Sequence, residues 1–272
     1  MKGYAKLLGL IALLGTVSAV IAKESIAEEN DVERIVSKAN HVAFYQADDG
    51  RAESRMLITD GGGNRQVRQF TILRKDHPGA EDADQDFLVH FSRPSDVRNT
   101  LFRVVKHIDK SDDRWLYLPG LDLVKRISSG DKRTSFVGSH FFYEDISGRS
   151  LSADKHELLE STEQYYVVKN TPLDPSSVEF AFYTVWIDKQ NWMPTKTEYT
   201  DSAGKIYRRI EALEVKDIDG FATATRMKAS DLRSGGSTLT EMRYISYDIG
   251  LPDAVFSERS LRNPPQQWLK RK

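Results

Sequence analysis

Apolar residues recur at helical spacing in one segment near the start of the chain. Residues 27–46 read AEENDVERIVSKANHVAFYQ, and Asn30 or Asp31 fits the N-cap position ahead of further polar residues. The pattern predicts one amphipathic helix with a charged outer face. Its apolar positions lie three or four residues apart or side by side: Ile35, Val36, Ala39, Val42, Ala43 and Tyr45.

Most of the remaining chain consists of short runs rich in β-branched and aromatic residues, which is typical of strands. Phe87, Val89 and Phe91 alternate strictly with other residues. Turn signals such as GGGNRQ, RPSD, DKSDD, DIDG and RSGG separate the runs. About ten strands at roughly ten-residue spacing predict a meander of antiparallel hairpins. Because no helical segments alternate with them, a parallel sheet is not expected.

The predicted strands leave two segments that have no clean period. Residues 119–146 contain several Gly and Ser residues, and we expect short helices or a loop that crosses one face of the sheet. The tail from residue 252 ends in a basic run, which we interpret as a solvated terminus. The strands themselves are expected at 54–60, 67–76, 86–92, 100–108, 115–119, 156–170, 178–189, 191–201, 204–220, 222–232 and 237–250.

Some of these strands are apolar on both faces, unlike an antiparallel strand with one face in water. The runs WLYLP, YYVV and VEFAFYTVWI all have this character. Either both faces of these strands are packed, or one face lines an apolar cavity. Tyr and Trp suit the rim of such a cavity, since each joins a large apolar surface to a polar group. A single helix also has too little surface to cover so large a sheet.

The first 22 residues have the pattern of an export signal. Lys2 and Lys6 precede the apolar run of residues 7–22, which ends in small residues and allows cleavage after Ala19 or Ala22. The run is short for a membrane span, although a retained anchor is the alternative. Residues 23–272 would then form one domain, because about 250 residues fit a single all-β domain.

Composition removes several classes of function. The chain has no cysteine, which excludes disulfides, a thiolate site and an acylated cysteine. A formal net charge of −1 and a pI near 6.6 give no electrostatic reason to expect nucleic acid as a partner.

Motifs for metals, cofactors and catalysis are missing as well. The histidines form no HExxH pattern, and the acidic run at 81–86 lacks the glycine and glutamate of a calcium loop. Neither a GxSxG elbow nor a phosphate-binding loop occurs. We therefore expect no metal, no cofactor and no enzymatic activity, with a hydrolase lacking a sequence signal as the open alternative.

The centre of the chain resembles a known protein family. Trp115, Tyr117, Pro119, Arg126 and Ile127 match a W-Y-P…R-I pattern. These residues, and those that follow, are similar to the outer membrane lipoprotein-sorting proteins of the LolA-like superfamily, in its longer branch. A second motif of that family, F-G-S-F-Y-E-D, is matched by Phe136, Gly138, Ser139, Phe142, Tyr143, Glu144 and Asp145. An upstream element of the family is matched by Pro94, Asp96, Arg98 and Thr100.

The resemblance implies a mainly β fold, in which one curved antiparallel sheet forms an incomplete β-barrel with a helical lid over an apolar cavity. It also implies a periplasmic carrier that shields the acyl chains of a lipid or lipoprotein on the way to the outer membrane. A monomer and an inner-membrane transporter partner of the resistance–nodulation–division (RND) type are expected. The alternative is a non-transporting accessory subunit of such a transporter.

Residue roles follow from the motifs and the two-faced strands. Glu144 and Asp145 could form an acid–base pair, but we favour a turn cap or a pairing with Arg126 or Arg133. We expect Gly138 to serve a backbone conformation. A functional arginine of the shorter carriers has four possible counterparts here: Arg55, Arg68, Arg98 and Arg103. The predicted lipid-binding residues are Trp115, Tyr117, Phe136, Phe142, Tyr166, Phe180, Phe182 and Trp186.

Overall fold

The computed structural model describes residues 31–79 and 82–270. The predicted signal peptide, residues 1–22, lies outside these ranges, as does the beginning of the predicted N-terminal helix. Within them, helix α1 covers residues 31–40 and continues into a π-helical turn at His41–Tyr45, which confirms the described part of that helix. Three short helices follow: α2 at Tyr143–Ser147, α3 at Arg259–Arg262 and α4 at Gln266–Leu269.

Across residues 31–79 and 82–270, thirteen strands form one antiparallel sheet. Their bounds are β1 Asp49–Thr59, β2 Arg65–Asp76, β3 Gln85–Arg93, β4 Leu101–Lys106, β5 Asp113–Leu118, β6 Leu123–Ile127, β7 Asp154–Ser161, β8 Tyr165–Pro172, β9 Phe182–Asp188, β10 Pro194–Thr200, β11 Ile206–Ile218, β12 Phe221–Asp231 and β13 Ser237–Tyr247.

The sheet is curved and open, with strand order β6-β5-β4-β3-β2-β1-β13-β12-β11-β10-β9-β8-β7. Strands β6 and β7 are its two edges, and residues 128–153 join them. This confirms the predicted incomplete barrel, but with more strands than the ten or so expected. One reason is that residues 156–170 hold two strands, since the Thr162 hydroxyl accepts from the backbone N–H groups of Gln164 and Tyr165 and forms a turn.

The connecting segment, residues 128–153, packs against the inner face of β1–β6. Phe136 is fully buried, and its ring centroid lies 5.3 Å from that of Phe102 and 5.6 Å from that of Phe91. The same cluster includes Phe70 and Tyr143. The expected segment that crosses one face of the sheet is therefore confirmed, and it carries the F-G-S-F-Y-E-D motif into the core.

The C-terminal segment, residues 248–270, covers the outer face of β2–β5. Phe256 and Leu261 are buried against Leu73 and Leu88 of the sheet. We expected a solvated terminus only for the basic run that ends this segment: Lys270 is exposed, and residues 271–272 lie outside the described ranges. Without a regular period, the tail gave no sign of its packing, although it carries Leu251, Val255, Phe256, Leu261 and Leu269.

Strand β5 is apolar on both faces because both of its faces are covered. Leu116 belongs to the inner cluster with the connecting segment. Trp115 and Tyr117 point to the other side, since successive side chains of a strand alternate, and they pack against the C-terminal segment. The Arg103 guanidinium lies 4.7 Å from the Trp115 ring centroid.

Helix α1 forms a lid over the other half of the inner face. Ile35 and Val36 pack against Val168 of β8 and Ile187 of β9. The Lys38 ammonium lies 4.3 Å from the ring centroid of Trp192, in the β9–β10 turn. None of the helices in the described part of the chain has the length and apolar character that crossing a bilayer requires.

The C-terminal segment should contribute measurably to stability. Phe256 is 1% exposed, so Phe256→Ala leaves a cavity and should lower the free energy of unfolding by about 3–5 kcal/mol. Leu121→Ala is the control, because Leu121 is 73% exposed, and its effect should stay within about 0.5 kcal/mol. Urea denaturation measures both. Equal effects of the two substitutions would contradict the packing described.

Candidate functional site

An apolar cavity of about 400 Å³ lies between the lid and the inner face of the sheet. Its volume falls in the range of pockets that hold small molecules. The lid supplies Val36, Ala39, Val42, Ala43 and Phe44 to its wall. The sheet supplies mostly apolar residues, among them Ile72, Val185, Ile187, Ile210, Ala212, Ala224, Met227, Met242 and Ile245.

Several of these inner-face residues remain partly exposed, although they are apolar and point away from the outer surface. Val185, Ile210, Ala212, Ala224 and Ile245 are all in this state. They line the cavity, and Val185 and Ile210 also pack against neighbouring core clusters. Because apolar surface costs about 25 cal/mol per Å² in water, an apolar guest that covers these residues would be stabilised.

The lid meets the connecting segment at one close contact. A Cβ atom on Gly148 would lie 2.8 Å from the Phe44 ring, which is nearer than non-bonded carbons approach. Gly148 also has φ +79°, a conformation that favours glycine. Only glycine therefore lets Phe44 close this side of the cavity.

The C-terminal end of the lid is bound to β2 and β3. Arg74 donates to the backbone carbonyls of Phe44 at 2.6 Å and Ala47 at 2.8 Å. Gln85 donates to the same Phe44 carbonyl at 2.8 Å. These bonds satisfy carbonyls that a helix end leaves without partners, so they fix the lid at this end.

A buried lysine lies beneath the same end of the lid. The Lys106 ammonium lies 5.1 Å from the Phe44 ring centroid and 4.6 Å from that of Tyr45. Burial lowers the pKa of Lys106 to about 8, against the opposing effect of nearby carboxylates such as Asp112. This group therefore titrates well below an ordinary lysine.

A charged cluster forms one part of the cavity wall. Glu144 pairs with Arg133 at 2.8 Å, Lys132 at 3.1 Å and Arg149 at 3.3 Å. Burial raises the pKa of Glu144, but the three cations outweigh burial and hold that pKa below its ordinary value. An ionised carboxylate with three cationic partners is poorly suited to exchanging protons with a substrate.

Asp145 has a capping role at the start of α2. It accepts a hydrogen bond from the backbone N–H of Phe142 at 2.6 Å, and it also pairs with Arg208. The turn cap and the arginine pairing that we preferred for these carboxylates are thus both present. Arg133 is the partner of Glu144, whereas Arg126 pairs with Asp113 on the adjacent strand.

The predicted lipid-binding residues do not line this cavity, so their assignment to its wall is corrected. Phe182 and Trp186 lie on the outer face of β9, where lysine ammonium groups approach both rings. The opposite set of β9 side chains, Tyr183, Val185 and Ile187, faces the cavity instead. Alternation defines two sets of side chains but does not say which set is inside.

The other predicted residues are dispersed through the fold. Trp115 and Tyr117 lie under the C-terminal segment, and Phe136 is in the inner core. Tyr166 stacks on Trp192 beside the lid at 5.6 Å between ring centroids. Phe180 packs against Tyr199. Phe142 lines a second cavity, whose wall contains several charged residues.

The motif residues outside the cavity have backbone and surface roles. Pro119 opens a 3₁₀ turn, Pro119–Leu121, between β5 and β6. Gly138 has φ +78°, which confirms its predicted role in the backbone conformation. Ser139 is buried, and its hydroxyl bonds the backbone of Phe141.

None of the four possible functional arginines lines the apolar cavity. Its wall instead includes Arg74 and Arg149, which no pattern in the sequence marked out. Arg149 forms a two-pronged pair with Asp154, at 2.8 and 2.9 Å. The four arginines in question are Arg55, Arg68, Arg98 and Arg103.

Comparison with known proteins identifies relatives of the whole sheet. A family model described as "Uncharacterized protein" matches residues 83–263, more than half of the chain. A DUF1329 family protein from Desulfovibrio piger is 27% identical with a TM-score of 0.78, and the match covers 86% of this chain and 99% of that one. The chain belongs to the family that this model describes, and it is similar to the DUF1329 family protein.

Two further solved structures share this LolA-like fold. An outer membrane lipoprotein-sorting protein domain from Vibrio parahaemolyticus is 26% identical with a TM-score of 0.77, covering 86% of this chain and 99% of that one. A LolA superfamily protein from Nitrosomonas europaea is 20% identical with a TM-score of 0.65, covering 84% and 98%. No curated protein sequence matches the chain.

Titration of Lys106 predicts a specific pH dependence of stability. Above pH 8 the folded protein loses this proton, whereas the unfolded chain keeps it until near its ordinary pKa of 10.5. The free energy of unfolding should therefore gain about 2.5 kcal/mol from this group by about pH 10.

Urea denaturation of the wild type and Lys106→Met between neutral pH and about pH 10 tests this. Other titrating groups contribute equally to both proteins. The free energy of unfolding of the wild type should therefore rise by about 2.5 kcal/mol more than that of Lys106→Met. Parallel pH profiles for the two proteins would mean that Lys106 has an ordinary pKa.

Proposed function

We propose that this LolA-like protein carries acyl chains of a lipid or lipoprotein in its lidded cavity. The observation that supports the proposal most is the partly exposed apolar wall, which includes Val185, Ile210 and Ala212. A relative described as an outer membrane lipoprotein-sorting protein domain has the same fold at 26% identity.

The energetics of an acyl guest suit such a cavity. Each methylene removed from water contributes about 0.8 kcal/mol, so about ten of them contribute about 8 kcal/mol. The lid presents small side chains, Ala39 and Ala43, to the cavity, and these can exchange their contacts for contacts with a guest. The carrier lacks a nucleotide-binding motif, so directional transport would depend on a partner.

Location and partner follow from the resemblance and the predicted signal peptide. The protein would work in the periplasm, as a monomer, with an inner-membrane transporter of the RND type. A non-transporting accessory subunit of that transporter would have no need for an open cavity. The unfilled volume of about 400 Å³ therefore favours the carrier over the accessory subunit.

Blocking the cavity should abolish lipid uptake. Ala212 faces the cavity, whereas the adjacent Leu213 is 46% exposed on the surface. Ala212→Trp should lower affinity for a fluorescent fatty acid by about tenfold or more, because its ring would fill space that the chain needs. Leu213→Trp is the matched control and should bind as the wild type does.

The protein for this test is purified from the periplasm, and thermal melts establish that both variants are folded. Failure of the wild type to take up the fatty acid after co-purified lipid has been extracted would contradict the proposal. Equal uptake by wild type and folded Ala212→Trp would show that the chain binds elsewhere.

A further inference from the structure

A second cavity, of about 600 Å³, differs from the first in its chemistry. Its wall includes three arginines, Arg133, Arg208 and Arg233, together with Glu179 and Asp231. The rest of the wall comes from four serines, Gly130, His140, Phe142, Val178 and Tyr207. The proposed function makes no use of this cavity, although Ser139 and Phe142 of the F-G-S-F-Y-E-D motif line it.

The two cavities share a charged partition. Glu144 and Asp145 line the apolar cavity, while their partners Arg133 and Arg208 line the polar one. Both guanidinium groups approach the Phe142 ring, at 5.2 and 4.0 Å from its centroid. Their side chains are only 5% and 3% exposed, so the partition is rigid and well shielded from bulk water.

Some guanidinium N–H groups of the polar cavity have no acceptor among the described residues. Arg208 uses its Nη groups for Asp145 and the His140 carbonyl, and its Nε, which has no hydrogen-bond partner among the described residues, is enclosed by protein atoms. Arg233 uses one Nη for Asp201 and is 52% exposed at the rim. Since each guanidinium has five donors, the wall has unused donor capacity.

The carboxylates of the same wall are already occupied. Asp231 accepts from the backbone N–H groups of Arg233 and Ser234 and from the Ser234 hydroxyl. Glu179 accepts from Arg133 and from the Tyr207 hydroxyl, at 2.7 Å. A ligand for this cavity must therefore bring acceptors rather than donors.

We propose that the polar cavity binds a phosphate group. Phosphate oxygens are acceptors whose spacing matches the guanidinium fork, and charge-assisted bonds to arginine are among the strongest hydrogen bonds in proteins. Arg233, whose remaining N–H groups are exposed at the rim, would donate to the phosphate, and Arg208 would contribute positive charge from the partition. The group could come from inorganic phosphate or from a phospholipid headgroup.

Calorimetry of the purified protein with inorganic phosphate, in a buffer free of other oxyanions, tests the proposal. Arg233→Gln removes the rim guanidinium, and Ser177→Glu adds a negative charge at an exposed position of the same wall. Each should weaken phosphate binding about tenfold. Arg243→Gln is the control, because Arg243 is 72% exposed and lies outside this wall, and it should change nothing.

Co-sedimentation with phosphatidylglycerol vesicles separates the two sources of the group. These measurements use the Ala212→Trp background, so that acyl chains do not enter the apolar cavity. A lipid headgroup would be identified if the protein binds vesicles but not inorganic phosphate, and if Arg233→Gln weakens the vesicle binding. Binding of inorganic phosphate without vesicle binding would identify a soluble phosphate. If neither probe binds, or if Arg243→Gln weakens binding as much as Arg233→Gln, the proposal is overturned.

Discussion

The open sheet has more apolar inner surface than the rest of residues 31–79 and 82–270 covers. A thirteen-stranded antiparallel sheet that closed into a barrel would pair its edges, but here β6 and β7 remain apart. The connecting segment fills the inner face of β1–β6 with Phe136 and Tyr143. Helix α1 spans the remainder without filling it, and the space left beneath it is the apolar cavity.

The lid and the connecting segment are held in place by polar contacts, whereas the wall of the cavity is mostly apolar. Arg74 binds the C-terminal carbonyls of the lid, and the Glu144 and Asp145 ion pairs fix α2. Removing one partner of a buried ion pair leaves an uncompensated charge, so these pairs define one arrangement more than they add stability. A carrier needs polar contacts that anchor the lid to be separate from the apolar contacts beneath it, because a guest can then replace the apolar contacts without unfolding the sheet.

Sequence reasoning recovered the class of fold because strand periodicity and turn residues are local signals. It could not determine which face of β9 is inside, since Phe182 and Val185 are equally apolar and only tertiary packing distinguishes them. The C-terminal segment was missed because its contacts are irregular and distant in the chain, as with Phe256 against the sheet. Glu144 and Asp145 were assigned correctly because their sequence neighbours include the arginine and the turn that bind them.

The central claim is that the apolar cavity holds acyl chains. Native mass spectrometry of the protein purified from the periplasm without detergent, followed by lipid extraction, tests it most directly. We expect co-purified phospholipid or lipidated peptide at near one-to-one stoichiometry, released when the protein is denatured. A clean mass of the protein alone, together with no uptake of added lipid, would contradict it.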